Sequence, residues 1–308
     1  MGYARWDTDD WSDYAAGQAG RRREEVFARA SLDPEFDPRR IRLRESRDSA
    51  QNPESNAIIV AFDETGSMGS IPDAFVRAGL GTMVQALLDR RPVSDPHVMI
   101  MGLGDAWCDR APLQVTQFEA DLRIADQLSR LYLEGGGGGN RYESYNLPWY
   151  FAARRTAIDC FEKRGKKGYL FTVGDEPPPP KLLAAHVREF LGEDLRRDLD
   201  NAELLRAAGR QYEIFHVVVE QGSHYRSFPD EVARGWERLL GQRVLYLADY
   251  TQLAEVIVAA IEVSEGRDPD AVVASWAGAA GTVAKALRRL PAPPRRRGLL
   301  GYLGRSAR

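Results

Sequence analysis

The sequence predicts an α/β fold: a doubly wound, mostly parallel sheet of about six strands with helices on both faces. First, short and nearly continuous apolar runs recur along the chain, as expected for strands covered on both faces of a parallel sheet. They lie at residues 58–62, 98–101, 169–173, 214–219 and 244–247. Second, segments of helical period lie between these runs, and alternating strands and helices are typical of a doubly wound sheet.

The first 55 residues are predicted to form an N-terminal arm with one helix. This stretch is rich in Arg, Asp and Glu, and its apolar residues indicate one amphipathic helix from about residue 11 to residue 30. Asp33-Pro34 and Asp37-Pro38 then interrupt helical structure. We expect the arm to pack on the main domain.

Residues 56–266 are predicted to form that main domain. Two stripes of apolar residues at three- and four-residue steps predict helices. They consist of Val76, Leu80, Met83 and Leu87, and of Leu253, Ile257 and Ile261. A helix is also expected over residues 148–161, and a helical surface insertion over residues 192–210. The alternation around Leu113 and Val115 predicts an antiparallel edge strand.

Residues 267–290 are predicted to form a C-terminal amphipathic helix, which Asp268-Pro269 would start favourably. Its apolar face would hold Val272, Trp276, Ala279, Val283, Leu287 and Leu290. Residues 291–308 form a Pro/Arg-rich tail, a candidate docking peptide for a scaffold or shell protein. Its anchors would be Leu299, Leu300, Tyr302 and Leu303. Contact with an anionic membrane surface and a frayed terminus are the alternatives.

Composition excludes several classes of protein. Hydrophobic residues make up 44% of the chain and charged residues 28%, which is ordinary for a globular protein. No apolar run reaches the roughly 18 residues that a membrane-spanning helix needs. The first residues lack the apolar region of a signal peptide, and Cys108 and Cys160 lack CxxC spacing. We therefore expect a cytoplasmic protein without a disulfide framework.

Charge is distributed unevenly along the chain. The net charge is −3, yet residues 271–308 contain eight Lys or Arg and no acid, so the first 270 residues carry a net charge of −11 by difference. Binding of nucleic acid needs clustered positive charge. The negative body therefore argues against nucleic acid as the main ligand.

Polar residues that suit a hard metal ion follow two of the apolar runs. Residues 63–67 (DETGS) come directly after the first run, and Asp175 follows the third. Ligands of doubly wound sheets bind beyond the carboxyl ends of the strands. Residues two apart at a strand end can point the same way, so Asp63, Thr65 and Ser67 can converge on one point. Carboxylate and hydroxyl oxygens suit Mg²⁺, Mn²⁺ or Ca²⁺ and suit zinc poorly.

The segment DETGSM at 63–68 resembles the D-x-[ST]-x-S motif of the metal-ion-dependent adhesion site in von Willebrand factor A (vWA) domains. The glycine-rich stretch 135–139 and the segment FTVGDE at 171–176 stand, in chain order, where this family has its second and third metal loops. The resemblance covers roughly residues 56–266. It implies a vWA domain of the intracellular bacterial type.

The resemblance also implies roles for single residues. Ser67, together with Thr65 or with waters beside Ser67, would bind the cation, and Mg²⁺ is first among the candidates. Asp63 would bind it directly or through water. Asp175 or Glu176 would match the carboxylate of the third loop.

The middle loop departs from the family pattern. The family has a threonine there, and this chain has none between Gly135 and Arg154. Asn140, Glu143 and Ser144 are the candidates to replace it. A carboxylate at Glu143 would lower the net charge of the site, tighten cation binding and weaken the attraction for an acidic partner residue.

For function, the resemblance implies a protein-binding module in which a partner's acidic residue completes the shell of the cation. Relatives inside bacteria act beside AAA+ ATPases of the MoxR type or in larger assemblies, so such an ATPase or a scaffold protein is the expected partner. A metal-dependent hydrolase that uses the same acidic rim is the alternative. The sequence contains no P-loop, HExxH or GxSxG motif and shows no acid-base machinery. The oligomeric state is left open by the sequence.

Overall fold

The strands and helices described below come from a computed structural model, which describes residues 29–75, 79–134 and 140–291. The strands are β1 Arg44–Ser46, β2 Asn56–Asp63, β3 Pro96–Leu103, β4 Leu113–Val115, β5 Thr156–Ile158, β6 Gly168–Gly174, β7 Lys181–Leu182, β8 Leu199–Asp200, β9 Tyr212–Val219 and β10 Val244–Leu247. The first helices are α1 Ile71–Ala74, α2 Leu80–Arg90, α3 Arg123–Ser129, α4 Asn146–Arg155, α5 Asp159–Glu162 and α6 Ala184–Leu191. They are followed by α7 Asn201–Ala208, α8 Ser223–Ser227, α9 Pro229–Leu240, α10 Leu253–Ser264, α11 Pro269–Ser275 and α12 Ala280–Leu287.

Six of these strands form the central sheet in the order β10-β9-β6-β2-β3-β4. Neighbouring strands are parallel except for β4, which pairs antiparallel with β3 at one edge. The chain builds one half of the sheet outward from β2 and then returns to build the other half from β6. The strand order therefore reverses between β2 and β6, which is the switch point of a doubly wound sheet. The predicted fold class and the antiparallel edge strand are confirmed.

Alternate residues of the central strands enter two separate hydrophobic cores. In β2, Ile58, Val60 and Phe62 face the core that contains α2, α10 and α12. Ala57, Ile59 and Ala61 face the core that contains α4, α7 and α9. Each of these side chains is at most 2% exposed. Since full burial of such a side chain is worth about 1.5–3 kcal/mol, the helices on both faces hold the strand ends in place.

The described part of the N-terminal arm packs against the domain. Phe36 is 2% exposed and belongs to the first core. Strand β1 pairs in parallel with β5, and Ser46 Oγ lies 3.1 Å from His97 Nδ1 on β3. Burial lowers the pKa of His97 to about 4, so this histidine is neutral.

Three predicted helices are shorter or interrupted. The helix expected over 148–161 ends at Arg155, because Thr156–Ile158 is extended and pairs with the arm as β5. In the insertion 192–210, helix is limited to α7, which starts with a capping box between Asp200 and Glu203. The helix expected over 267–290 is two helices, α11 and α12, separated at Trp276, which has φ −97° and ψ 59°.

Other predictions fall outside the described residues. They are nearly all of the helix at 11–30, Val76, the glycines at 135–139, and the tail anchors Leu299, Leu300, Tyr302 and Leu303. Within the described ranges, none of the helices is both long enough and apolar enough to cross a membrane.

Candidate metal centre

The two carboxylates predicted for the site lie on either side of the switch point. Asp63 is the last residue of β2, and Asp175 directly follows Gly174, the last residue of β6. The two strands pair in parallel, with Phe62 opposite Val173. Because parallel strands end at the same edge of the sheet, residues far apart in sequence meet in the crevice where doubly wound sheets bind ligands.

The loop after β2 folds around the carboxylate of Asp63. This side chain is fully buried, and its Oδ1 accepts hydrogen bonds from the backbone N of Thr65 (2.8 Å) and from Thr65 Oγ1 (2.5 Å). A 3₁₀ turn, Gly66–Met68, follows and ends at Gly69, whose φ of +56° favours glycine. The turn places the Ser67 hydroxyl 3.2 Å from Thr65 Oγ1.

Asp175 connects this loop to the other half of the sheet. Its Oδ1 accepts a hydrogen bond from Ser67 Oγ (2.7 Å), and its Oδ2 accepts one from the backbone N of His224 at the start of α8 (2.8 Å). Glu176 instead lies with one oxygen 3.5 Å from His224 Nδ1. Of the two acids that the sequence left open, Asp175 is therefore the one in contact with the first loop.

Glu143 and Tyr145 approach the same crevice from the segment before α4. Tyr145 donates its hydroxyl to Asp63 Oδ2 at 3.0 Å. Glu143 is 2% exposed, and its Oε2 has no hydrogen-bond partner among the described residues. An orphaned carboxylate oxygen in a buried position is costly unless a cation or a proton neutralises it.

Asn140 and Ser144 lie elsewhere. Asn140 donates its amide to Asp105 Oδ2 (2.6 Å), and Ser144 Oγ accepts from the backbone N of Ala106 (2.9 Å). Both side chains hold the loop that follows β3. The structure thus links Asp63, Thr65, Ser67 and Asp175 by hydrogen bonds, while Glu143 is near enough for the charge of Asp63 to raise its pKa. Asn140 instead contacts Asp105.

Two glycines make this close packing possible. A Cβ on Gly174 would lie 2.0 Å from the Tyr145 hydroxyl, and a Cβ on Gly222 would lie 2.3 Å from Asp175 Cβ. Neither distance is compatible with a side chain. Each glycine therefore leaves room for one polar group of the crevice.

The crevice concentrates negative charge. Burial and then the charge of Asp175 raise the pKa of Asp63, and burial and then the charge of Asp63 raise the pKa of Glu143. Burial and then Asp63 also raise the pKa of Glu176 to about 8. Among the described residues, neither Lys nor Arg forms an ion pair with Asp63, Asp175 or Glu143, so a bound cation would relieve the mutual repulsion of these carboxylates.

The donor set fits a hard divalent cation. It consists of carboxylate and hydroxyl oxygens, which Mg²⁺, Mn²⁺ and Ca²⁺ prefer. In the described part of the chain, no three His, Cys, Asp or Glu side chains stand close enough to hold a metal by themselves. The hydroxyls of Thr65 and Ser67 and added ligands, such as water, would have to complete the shell.

Two contributors were missed from the sequence. Tyr145 bonds Asp63, and the backbone N of His224 bonds Asp175. Tyr145 carries no sequence signal of this contact, because a tyrosine ahead of a helix is ordinarily read as a core residue. Gly222, directly ahead of α8, is a local sign of a close approach there.

In comparisons with known proteins, this chain is similar to several solved structures. No family model matches the chain, and no curated protein matches it. The SpaC pilus adhesin of Lactobacillus rhamnosus GG, in its open conformation, is similar over 70% of this chain and 31% of its own, with 10% identity and a TM-score of 0.46. A von Willebrand factor type A protein of Catenulispora acidiphila is similar over 70% of this chain and 44% of its own, with 15% identity and a TM-score of 0.38.

A third similar structure is proximal thread matrix protein 1 of the mussel byssus with a zinc-occupied MIDAS motif. It matches 68% of this chain and 47% of its own, with 11% identity and a TM-score of 0.41. The chain thus spans less than half the length of each of these three proteins.

The strand order, the antiparallel edge strand and the DETGS loop at the switch point are features of this chain's own structure and sequence. The fold is a doubly wound α/β sheet with one antiparallel edge strand. At the switch point the first and third predicted loops meet through Ser67 and Asp175. Of the middle-segment candidates, Glu143 rather than Asn140 is the one whose pKa is raised by burial and then by the charge of Asp63.

Proposed function

We propose that the vWA-like domain holds one divalent cation, Mg²⁺ by preference, and uses it to bind a carboxylate of a protein partner. The observation that supports this most directly is the 2.7 Å contact of Ser67 Oγ with Asp175, in a crevice where no Lys or Arg of the described residues pairs with Asp63, Asp175 or Glu143. The cation would take the place of the missing positive charge.

Each residue has a distinct part in this proposal. Ser67 and Thr65 would offer hydroxyl oxygens, and Asp63 and Asp175 would supply negative charge directly or through water. Glu143 would add a further carboxylate at the buried end. The cation would supply Lewis acidity toward an incoming oxygen ligand.

The rim of the crevice supplies a surface for the partner. Trp107 is 61% exposed and lies in the loop held by Asp105. Phe228 is 41% exposed and stacks near His224, with the guanidinium of Arg141 5.1 Å above its ring. Exposed aromatic and arginine side chains are enriched among the residues that dominate protein interfaces. A partner would therefore present an acidic residue with apolar neighbours.

The wider assembly is proposed from the sequence resemblance. A MoxR-type AAA+ ATPase or a scaffold protein is the kind of partner that the resemblance implies. The tail anchors Leu299, Leu300, Tyr302 and Leu303 would provide a second contact to a scaffold or shell.

The first test is calorimetric titration of Mg²⁺, Mn²⁺ and Ca²⁺ into metal-stripped protein. We expect one saturable site, weakened at least about tenfold in Ser67→Ala because a hydroxyl ligand is lost. Ser70→Ala removes an exposed hydroxyl three residues further along and is the matched control. Equal binding by both variants, or no binding by the wild type, would contradict the proposal.

The second test addresses the partner. Proteins from the source cell are captured on the immobilised domain with Mg²⁺, with chelator, and on Ser67→Ala, Ser70→Ala and Trp107→Ala. A partner consistent with the proposal is retained only with Mg²⁺, lost in Ser67→Ala and Trp107→Ala, and kept in Ser70→Ala. Metal-dependent hydrolysis of generic phosphate and carboxylate esters, abolished in Ser67→Ala, would instead support the alternative of a hydrolase.

A further inference from the structure

A cavity of about 610 Å³ lies between the N-terminal arm and helix α3. Arg44 of β1, Gln117, and Arg130 at the end of α3 are among the residues that line it. Close by, Glu119 pairs with Val98 near the beginning of β3. The candidate metal centre lies beyond the carboxyl ends of the strands. The cavity lies instead toward the opposite ends of the strands.

Arg44 is a buried arginine that forms no ion pair with an Asp or Glu of the described residues, although the charges of Glu35 and Glu119 act on it from a distance. Its residue exposure is 7%, and its Nη2 donates to the backbone carbonyls of Glu35 (2.6 Å) and Val115 (2.9 Å). Its Nε has no hydrogen-bond partner, and no Asp or Glu in the described residues forms an ion pair with it. Carbonyl dipoles do not neutralise a full charge, and a buried charge without a counter-ion is costly.

The mouth of the cavity has a surplus of positive charge. Arg40 and Arg42 are exposed; the nearest ion-pair contact of Arg40 is 3.9 Å to Asp37, and Arg42 has none within the described residues. The lining contains five arginines and two acids. Arg123 pairs with Asp121 and Glu119, and Arg130 pairs with Asp33 and Glu35, so the positive charge without a close ion pair is that of Arg40, Arg42 and Arg44. The whole chain has a net charge of −3. The cavity therefore attracts an anion even though the net charge of the whole chain is negative.

Part of the remaining wall is apolar, and Gln117 and Gln127 complete it. Phe36, Ile41 and Leu43 line the cavity beside the arginines, and Leu43 is 43% exposed. A ligand that carries an anionic group and an organic part would use both kinds of wall. Guanidinium groups bind phosphate bidentately, and a phosphate monoester above about pH 7 carries close to two negative charges, which suits several arginines better than one carboxylate does.

We propose that this cavity binds the phosphate monoester of a small organic molecule. The phosphate lies against the exposed guanidinium groups of Arg40 and Arg42, with Arg44 adding its charge from the wall of the cavity, and the organic part lies against the apolar residues of the lining. The site is independent of the divalent cation, because its residues lie toward the opposite ends of the strands.

The proposal is tested by calorimetric titration with phenyl phosphate, inorganic phosphate and benzoate, in the presence of chelator and at constant ionic strength. We expect one saturable site for phenyl phosphate, with weaker binding of the other two probes. The double variant Arg40→Ala/Arg42→Ala weakens phenyl phosphate binding at least about tenfold, since two charge-assisted contacts are lost. Both positions are exposed, so folding is retained and is checked by circular dichroism.

Arg196→Ala/Arg238→Ala removes the same charge at two exposed positions outside the cavity and serves as the control. Equal weakening in both double variants would overturn the proposal, because the effect would then be one of net charge. Absence of saturable binding would overturn it as well. Equal affinity for inorganic phosphate and phenyl phosphate would overturn the assignment of an organic part.

Discussion

At the scale of single residues, Glu143 is a buried acid whose carboxylate form is poorly stabilised by its surroundings. Its Oε2 lacks a hydrogen-bond partner in the described structure, and burial followed by the charges of Asp63 and Glu176 raises its pKa. The metal-free protein should therefore hold a proton on this carboxyl at neutral pH. A cation can use the carboxylate only after that proton has left.

We expect Mg²⁺ binding near neutral pH to release about one more proton from the wild type than from Glu143→Gln. The proton count comes from calorimetry in buffers with different enthalpies of ionisation. Glu134→Gln, a half-buried acid in the loop after α3, is the control and should match the wild type. Equal proton release in Glu143→Gln and the wild type would show that Glu143 does not titrate with the metal.

At this scale the sequence predicted the convergence of the first and third loops, because both follow apolar strands. It did not predict which middle-loop residue joins them. Asn140 and Glu143 are three positions apart, and which of the two enters the crevice depends on contacts with the loop after β3, where Asp105 accepts from Asn140. Such tertiary contacts leave no pattern in the sequence.

At the scale of elements, the approach of α8 to Asp175 depends on Gly222. An added Cβ there would lie 2.3 Å from Asp175 Cβ and 2.2 Å from its Oδ2. Gly222→Ala should therefore lower the free energy of unfolding by about 1–3 kcal/mol, the usual cost of overpacking, and weaken cation binding. Gly278→Ala, where nothing lies within 4 Å of the added Cβ, should change stability by less than about 0.5 kcal/mol. Urea denaturation measures both, and similar losses would contradict the expectation.

Helices α2, α10 and α11 are joined by one buried acid, Glu262. Arg90 at the end of α2 contacts it through two hydrogen bonds of 3.0 Å and stacks 3.9 Å over the ring of Trp276, whose Nε1 lies 3.3 Å from the same carboxylate. Glu262 is 0% exposed, so removing its main partner leaves a buried charge.

Arg90→Ala should cost about 3 kcal/mol of stability for that reason. Because Arg267 also pairs with Glu262, the loss is expected at the lower end of the usual range. Arg238→Ala, an exposed position without such contacts, is the control. If Arg90→Ala and Arg238→Ala show the same urea midpoint, the described network contributes nothing measurable.

The sequence predicted best the elements whose continuous apolar runs correspond to burial on both faces of the sheet, such as β2 and β3. The sequence predicted less well the helices that stop where the chain contacts residues distant in sequence. Residues 156–158 have apolar, helix-compatible neighbours, but they extend because β1 of the arm pairs with them. The break at residues 276–279 contains Gly278, and the ring of Trp276 at its start contacts Arg90 and Glu262 on neighbouring helices.

At the scale of the whole molecule, the raised pKa values of the crevice affect stability as a function of pH. A carboxyl whose pKa is raised on folding favours the folded state at low pH, and this contribution is lost as pH rises through the folded pKa. For Glu176 this pKa is about 8. Below about pH 6.5 the buried neutral His97 acts in the opposite direction, because its pKa is lowered to about 4.

We therefore expect the metal-free protein to become less stable as pH rises from about 6.5 to about 8. Saturating Mg²⁺ should flatten this dependence, since the cation compensates the ionised carboxylates. Thermal unfolding in chelator and in Mg²⁺ across this range measures both effects. A midpoint in chelator that rises with pH would contradict the expectation.

Ser67 and Asp175, which touch at 2.7 Å, are separated by 108 positions in the chain. Both halves of the sheet must therefore be synthesised and folded before this contact can form. Affinity for the cation would therefore be present only in molecules whose two halves have joined correctly, and cation binding would report that folding is complete.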